Sequence, residues 1–136
     1  MAFVQWQPEF TTGWTAYDTQ HQALFEHVNA VHELIEGFNP EDEPRLSAEF
    51  LDFLNLVRVH ARTEDGLMAE LGHPPASDHV SAHGNFLGKL EGVQSLHAFG
   101  PESHPAILEC LAKFKTHFLA DDEQSFLALL RTQPPT

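Results

Sequence analysis

Histidines fall on the apolar faces of four helix-like segments, and this placement restricts the fold more than any other property of the chain. His21 precedes Leu24, Phe25 and Val28 by three, four and seven positions. His60 follows Val57 by three and Phe53 by seven, and Glu64 follows His60 by four. His79 and His83 are four apart and lead into Phe86 and Leu90. His117 follows Phe114 by three, with Asp121 and Asp122 four and five positions later. In an α-helix, residues three, four and seven apart share one face. Each segment therefore turns imidazole toward the side that its leucines and phenylalanines must bury.

The segments are delimited by ordinary helix signals. Asp18 is placed as an N-cap for helix one, which runs through Val31, Leu34 and Ile35 to Gly37 and the Asn39-Pro40 break. Helix two is expected from Arg45 or Leu46 to Gly72, and helix three from Ser77 or Asp78 to near Leu96. Helix four is expected to start after Ser103 as cap, with Pro105 in its first turn, and to carry one stripe from Ile107 through Phe118 and Phe126 to Leu129. Residues 1–17 show no clean period and read as an arm anchored by Trp6, Phe10 and Trp14; residues 132–136 are a tail. No strand pattern or repeat is present. The expected fold is all-α: a single domain over 1–136, with an up-down-up-down antiparallel four-helix bundle over 18–131.

Composition narrows the function. The formal charge of -13, from 20 acids against 7 bases, disfavours nucleic acid and anionic lipid and favours a partner with a basic surface. No apolar run reaches the ~18 residues of a membrane span. The opening residues lack the basic start and apolar stretch of a signal peptide, which leads to an expectation of a cytoplasmic protein. Cys110, the single cysteine, cannot form an intrachain disulfide and reads as a small buried apolar residue.

Ten histidines remain to be explained. A buried, unpaired carboxylate costs several kcal/mol and tends to protonate instead. Imidazoles and carboxylates gathered in a phenylalanine-lined interior call for a compensating charge, and a metal ion supplies it. A single His–Glu pair at i,i+4 is usually a surface pair; the joint order H…HxxxE…HxxxH…HxxxxD on four apolar stripes is far more specific. His27, His32, His73, His97 and His104 lie off the stripes or near helix ends and are read as surface or rim residues. Spacing leaves the last carboxylate open: Asp121 lies nearly on the face of His117, whereas Asp122 overshoots it by roughly 140°. Many di-iron carboxylate bundles carry two inward ExxH motifs. Here the one ExxH, Glu70 to His73, straddles a helix end, so the set is rich in histidine and poor in carboxylate. That balance favours reversible binding over oxidative catalysis.

Over nearly its whole length the sequence resembles the bacteriohemerythrins. The resemblance is carried by Trp6…Phe10…Gly13…Tyr17-Asp18-Thr19-Gln20-His21, by His60-Ala61-Arg62-Thr63-Glu64, by Gly72-His73-Pro74 followed by His79-Val80-Ser81-Ala82-His83, and by His117-Phe118-Leu119-Ala120-Asp121-Asp122. It implies two iron ions with an oxo or hydroxo bridge. One ion would take His79, His83 and His117, the other His21 and His60, and Glu64 and Asp122 would bridge them. The second ion would keep one open position for dioxygen. The implied function is reversible dioxygen binding for storage, delivery or buffering, without enzymatic turnover, serving an oxygen-consuming partner. The alternatives are a di-iron peroxidase or scavenger of peroxide or nitric oxide, and an oxygen or redox sensor; the sequence shows no output domain for the last. The chain departs from the family pattern at Lys113, where the family usually has tryptophan, and at Ala61 and Phe114. Lys113 either packs its stem and extends its ammonium to solvent or opens a polar path to the metals.

Overall fold

The structure is a computed structural model that describes residues 2–72, 77–96 and 98–133; at residues 77–80 it describes the backbone only. Among the described residues five α-helices follow in order: α1 (Thr15–Glu36), α2 (Glu43–Glu70), α3 (Ser77–Ser95), α4 (His104–Leu119) and α5 (Asp121–Arg131). α1 packs on α2, α2 on α3, α3 on α4, and α4 returns to α1, closing an all-helical bundle. Among the described residues no helix is long and apolar enough to cross a membrane.

The interior is built from phenylalanine edges. Phe10, Phe25, Phe53, Phe114 and Phe118 meet at centroid distances of 4.9–6.2 Å, all edge-to-face except the stacked Phe114–Phe118 pair. Such pairs each add about 0.5–1.5 kcal/mol beyond the area they bury. At the far end of the bundle Val31, Leu46, Phe50, Phe99 and Ile107 close the core. Cys110 is buried as expected, and burial together with Glu109 pushes its thiol up to about 11.

The helix starts differ from the expected caps. α1 begins at Thr15, before Asp18, and the Asp18 carboxylate faces backward. It accepts hydrogen bonds from the Thr12 N–H (3.0 Å), the Thr12 hydroxyl (2.7 Å) and the Gly13 N–H (3.1 Å). Gly13 supplies the turn with φ +90°, a region that favours glycine. Asp18 thus fastens the arm rather than capping the helix. Ser103 also does not cap with its side chain; its hydroxyl donates to the Ala98 carbonyl at 2.6 Å. α2 starts at Glu43, ahead of the expected residue, because the Asn39–Asp42 capping box orders a 3₁₀ turn before it.

The arm is held along its length. Phe10 and Trp14 are buried, and Trp6 lies edge-on to Phe10 and Phe25. Val4 exchanges two 2.9 Å hydrogen bonds with the Asn29 side chain, and the Trp14 indole donates to the Leu130 carbonyl at 3.1 Å.

The expected fourth helix is two helices. α4 ends at Leu119, Ala120 is extended (φ -65°, ψ 152°), and α5 begins at Asp121. The Gln124 side chain returns to donate to the Phe118 carbonyl at 2.7 Å, satisfying an acceptor that the end of α4 leaves free. Three acids in the first turn of α5 suit the positive end of its dipole.

Candidate metal centre

The antiparallel arrangement brings the start of α1, the second half of α2, the start of α3 and the α4–α5 junction to one end of the bundle. Two groups of metal-ligating side chains meet there: His21, His60, Glu64 and Glu123, and Glu64, His83 and His117. Within each group the donor atoms all lie within 4.8 Å of one another. All are buried except His117, which is half-buried.

Glu64 belongs to both groups and is fully buried. Its Oε2 lies 3.3 Å from His60 Nε2 and its Oε1 3.2 Å from His83 Nε2. The imidazoles also face each other in pairs, His21 Nε2 to His60 Nε2 at 3.0 Å and His83 Nε2 to His117 Nε2 at 3.1 Å. Polar side chains orient two of the rings from behind. Gln20 Oε1 lies 3.2 Å from His60 Nδ1, and Asp65 Oδ1 lies 3.2 Å from His83 Nδ1, so each ring turns its Nε2 inward.

The sequence expectation and the structure diverge at the last carboxylate. Asp121 and Asp122 are both exposed, and neither joins a group. Glu123 is 1% exposed, with Oε1 3.5 Å from His21 Nε2 and 4.0 Å from His60 Nε2. The break at Ala120 is the physical cause, because it resets the helical phase after His117. In the new phase Glu123 heads the buried stripe of α5, ahead of Phe126, Leu127 and Leu130 by three, four and seven positions. The spacing rule that identified His21 identifies Glu123 as well, once the helix is allowed to restart.

Tyr17 is a second residue that sequence reasoning left unassigned. It precedes His21 by one turn, is 1% exposed, and donates its hydroxyl to Glu64 Oε2. Its ring packs edge-on to His21 at 4.4 Å. The side chain of His79 lies outside the described residues, as do His73 and His97. His27 and His32 are half-buried and pair with Glu49 and Glu36, and His104 packs against Phe38.

The electrostatics follow from crowding charge into a dry interior. Burial would lower the pKa of His60, but hydrogen bonds and charge from Glu123 and Glu64 outweigh it and hold the ring up to about 9. His21 is driven well below the usual imidazole value by burial and by neighbouring His60. Burial, then the adjacent Glu64, raises Glu123 well above the carboxylate range, and burial with both glutamates raises Tyr17.

These residues fit a pair of metal ions on three counts. Opposed imidazole nitrogens 3.0–3.1 Å apart need either a proton or a cation between them. Glu123 Oε2 is buried among these imidazoles without a hydrogen-bond partner. Glu64 turns one oxygen to each group, which is the arrangement of a bridging carboxylate. Imidazole with carboxylate suits iron, as well as zinc, copper and nickel.

Comparisons with known proteins agree with this chemistry. The family model described as hemerythrin HHE cation binding domain matches residues 12–129. A bacteriohemerythrin of Pseudomonas paraeruginosa is 21% identical over 131 residues, covering 96% of this chain and 84% of that protein. A bacteriohemerythrin of Stenotrophomonas maltophilia is 21% identical over 126 residues, covering 93% and 80%. Hemerythrin subunit beta of Lingula anatina is 26% identical over 90 residues, covering 66% and 68%. No solved structure matches.

Proposed function

Since the chain belongs to the hemerythrin family, we propose that it binds dioxygen reversibly at a pair of iron ions, for storage, delivery or buffering rather than turnover. The observation that carries this reading is Glu64, shared between two histidine groups with one oxygen toward each. His83 and His117, together with His79, would hold one ion; His21 and His60 would hold the other. Glu64 would bridge them, and Glu123 takes the bridging place that the family pattern assigns to Asp122. When bound, the iron pair supplies the electrons that hold dioxygen and recovers them on release.

The protein's own share is positioning and exclusion of water. Gln20 and Asp65 fix ring orientation. Phe118 packs edge-on to His21 at 5.0 Å, and Phe126 to Tyr17 at 6.1 Å, so apolar edges shield the side where His21 and His60 meet. Tyr17 holds a proton at Glu64 Oε2. A free, buried Cys110 suits a reducing cytoplasm, and the acidic surface suits a basic partner that consumes oxygen.

A second reading, a peroxidase or a scavenger of peroxide or nitric oxide, has one observation in its favour. A cleft of about 440 Å³ between α3 and α4 runs past Asn85, Lys89, Lys113 and Thr116 to His117. It offers small molecules a way from solvent to the more exposed group.

The two readings separate in the visible spectrum of anaerobic, ferrous-loaded protein. An absorption band that appears on adding oxygen and disappears on removing it establishes a carrier. Prompt, irreversible conversion to a ferric form, with turnover of peroxide and a reductant, establishes the enzyme.

A further inference from the structure

The seam between α1 and α2 carries a second convergence of donors, away from the centre described above. His27 lies six residues beyond His21 on α1, roughly 9 Å along the axis. From α2, Glu49 and Asp52 meet it, three residues apart and therefore on one face. Each of the three offers one donor atom, and these atoms lie within 4.8 Å of one another. No residue is shared with the central groups.

We propose that His27, Glu49 and Asp52 form a peripheral site for a single divalent cation of the zinc class. His27 Nδ1 and Glu49 Oε2 share a 2.8 Å hydrogen bond, and a zinc ion replacing its proton needs these atoms to part only to about 3.3 Å. The side chains of His27 and Glu49 are 27% and 26% exposed. That half-shelter limits the cost of removing water from the ion while leaving room for water to complete its shell. Glu49 and Asp52 are two like charges on one helix face, and one imidazole carries at most one positive charge. A divalent ion neutralises both carboxylates and displaces the imidazole proton. The mixed nitrogen and oxygen donor set selects zinc or a similar transition ion over magnesium or calcium, which prefer oxygen alone. The net charge of -13 raises the local concentration of any cation. The donors come from two helices, so the bound ion ties α1 to α2 and stabilises the folded chain by mass action. The proposal is independent of whether the central groups bind iron.

The test is equilibrium dialysis of the full chain against zinc, with excess magnesium to fill sites made of carboxylates alone. Glu49→Gln, Asp52→Asn and His27→Ala are each compared with the parent. The expected result is one zinc ion fewer per chain in every variant. Because Asp52 is exposed, Asp52→Asn keeps the parent's far-ultraviolet dichroism and its metal-free melting curve. The difference between parent and variant does not depend on how many ions the central groups take. Equal zinc stoichiometry in the parent and Asp52→Asn overturns the proposal. So does a loss in Asp52→Asn accompanied by an altered metal-free melting curve, because the effect then belongs to the fold.

Discussion

Glu123 and Asp122 are neighbours with opposite surroundings, one buried among imidazoles and the other in solvent. Glu123→Ala should therefore abolish or halve iron loading, measured as metal per chain, whereas Asp122→Ala should leave it unchanged; the reverse pattern would restore the family's usual ligand. His60 gives a test in the metal-free protein. Its folded value of about 9 lies above the ordinary imidazole value of 6.5, so its contribution to stability is complete below 6.5 and is lost as pH rises through about 9. Glu123, raised by burial and by Glu64, acts in the same sense, while His21, driven down by burial, weakens the fold only on the acid side. Urea midpoints of metal-free protein should fall between pH 6.5 and 9, with His60 contributing at most about 3 kcal/mol. A flat profile would mean that the carboxylates do not hold His60. Lys113 has a side chain 44% exposed with the ammonium 4.0 Å from Glu109, and it lines the cleft that also includes His117. Lys113→Trp should fill the cleft and slow autoxidation of the oxygenated form severalfold; an unchanged rate would remove the cleft as a route.

The arm and the fourth-helix break are events of whole elements. The Asp18 carboxylate accepts from three donors of Thr12 and Gly13, two of them backbone. Asp18→Ala strands the two donors of buried Thr12 and should cost about 3 kcal/mol by urea unfolding. A loss under 1 kcal/mol would mean that the arm is held by Trp14 and Asn29 instead. The sequence shows an acid next to a helical stretch, which signals a cap; it does not show whether the chain before that acid folds back onto it. The α4–α5 break is legible only in part. The acids at 121–123 are a helix-start signal, but Leu119-Ala120 contains neither glycine nor proline, and the apolar stripe runs through the break. A continuous helix and a restarted one match that stripe almost equally well, yet they expose different carboxylates.

Across the whole molecule, the apolar stripes and the centre depend on each other. The phenylalanine edges that fill the bundle also set the spacing at which His21, His60, His83 and His117 face one another. Phe53, fully buried and in contact with Phe50, Phe86 and Phe114, links α2 to α3 and α4. Phe53→Ala should cost about 3–5 kcal/mol of stability, read from chemical denaturation of metal-free protein. Metal binding should recover part of that loss, because ions that bind only the folded bundle stabilise it in proportion to their affinity.

The sequence by itself determined the helical bundle and five candidate ligand positions that the structure brings together: His21, His60, Glu64, His83 and His117. Periodicity alone places these residues on buried faces, and four buried faces in a short chain have few ways to pack. The tertiary structure decided what depends on phase and on long-range contact. Glu123 rather than Asp122 lies beside His21 and His60 because one extended residue, Ala120, rotates everything after it. Tyr17 reached Glu64, and His27 met Glu49 and Asp52, because α1 and α2 lie side by side. Spacing along one helix fixes which residues share a face, but which faces touch is settled only when the helices dock.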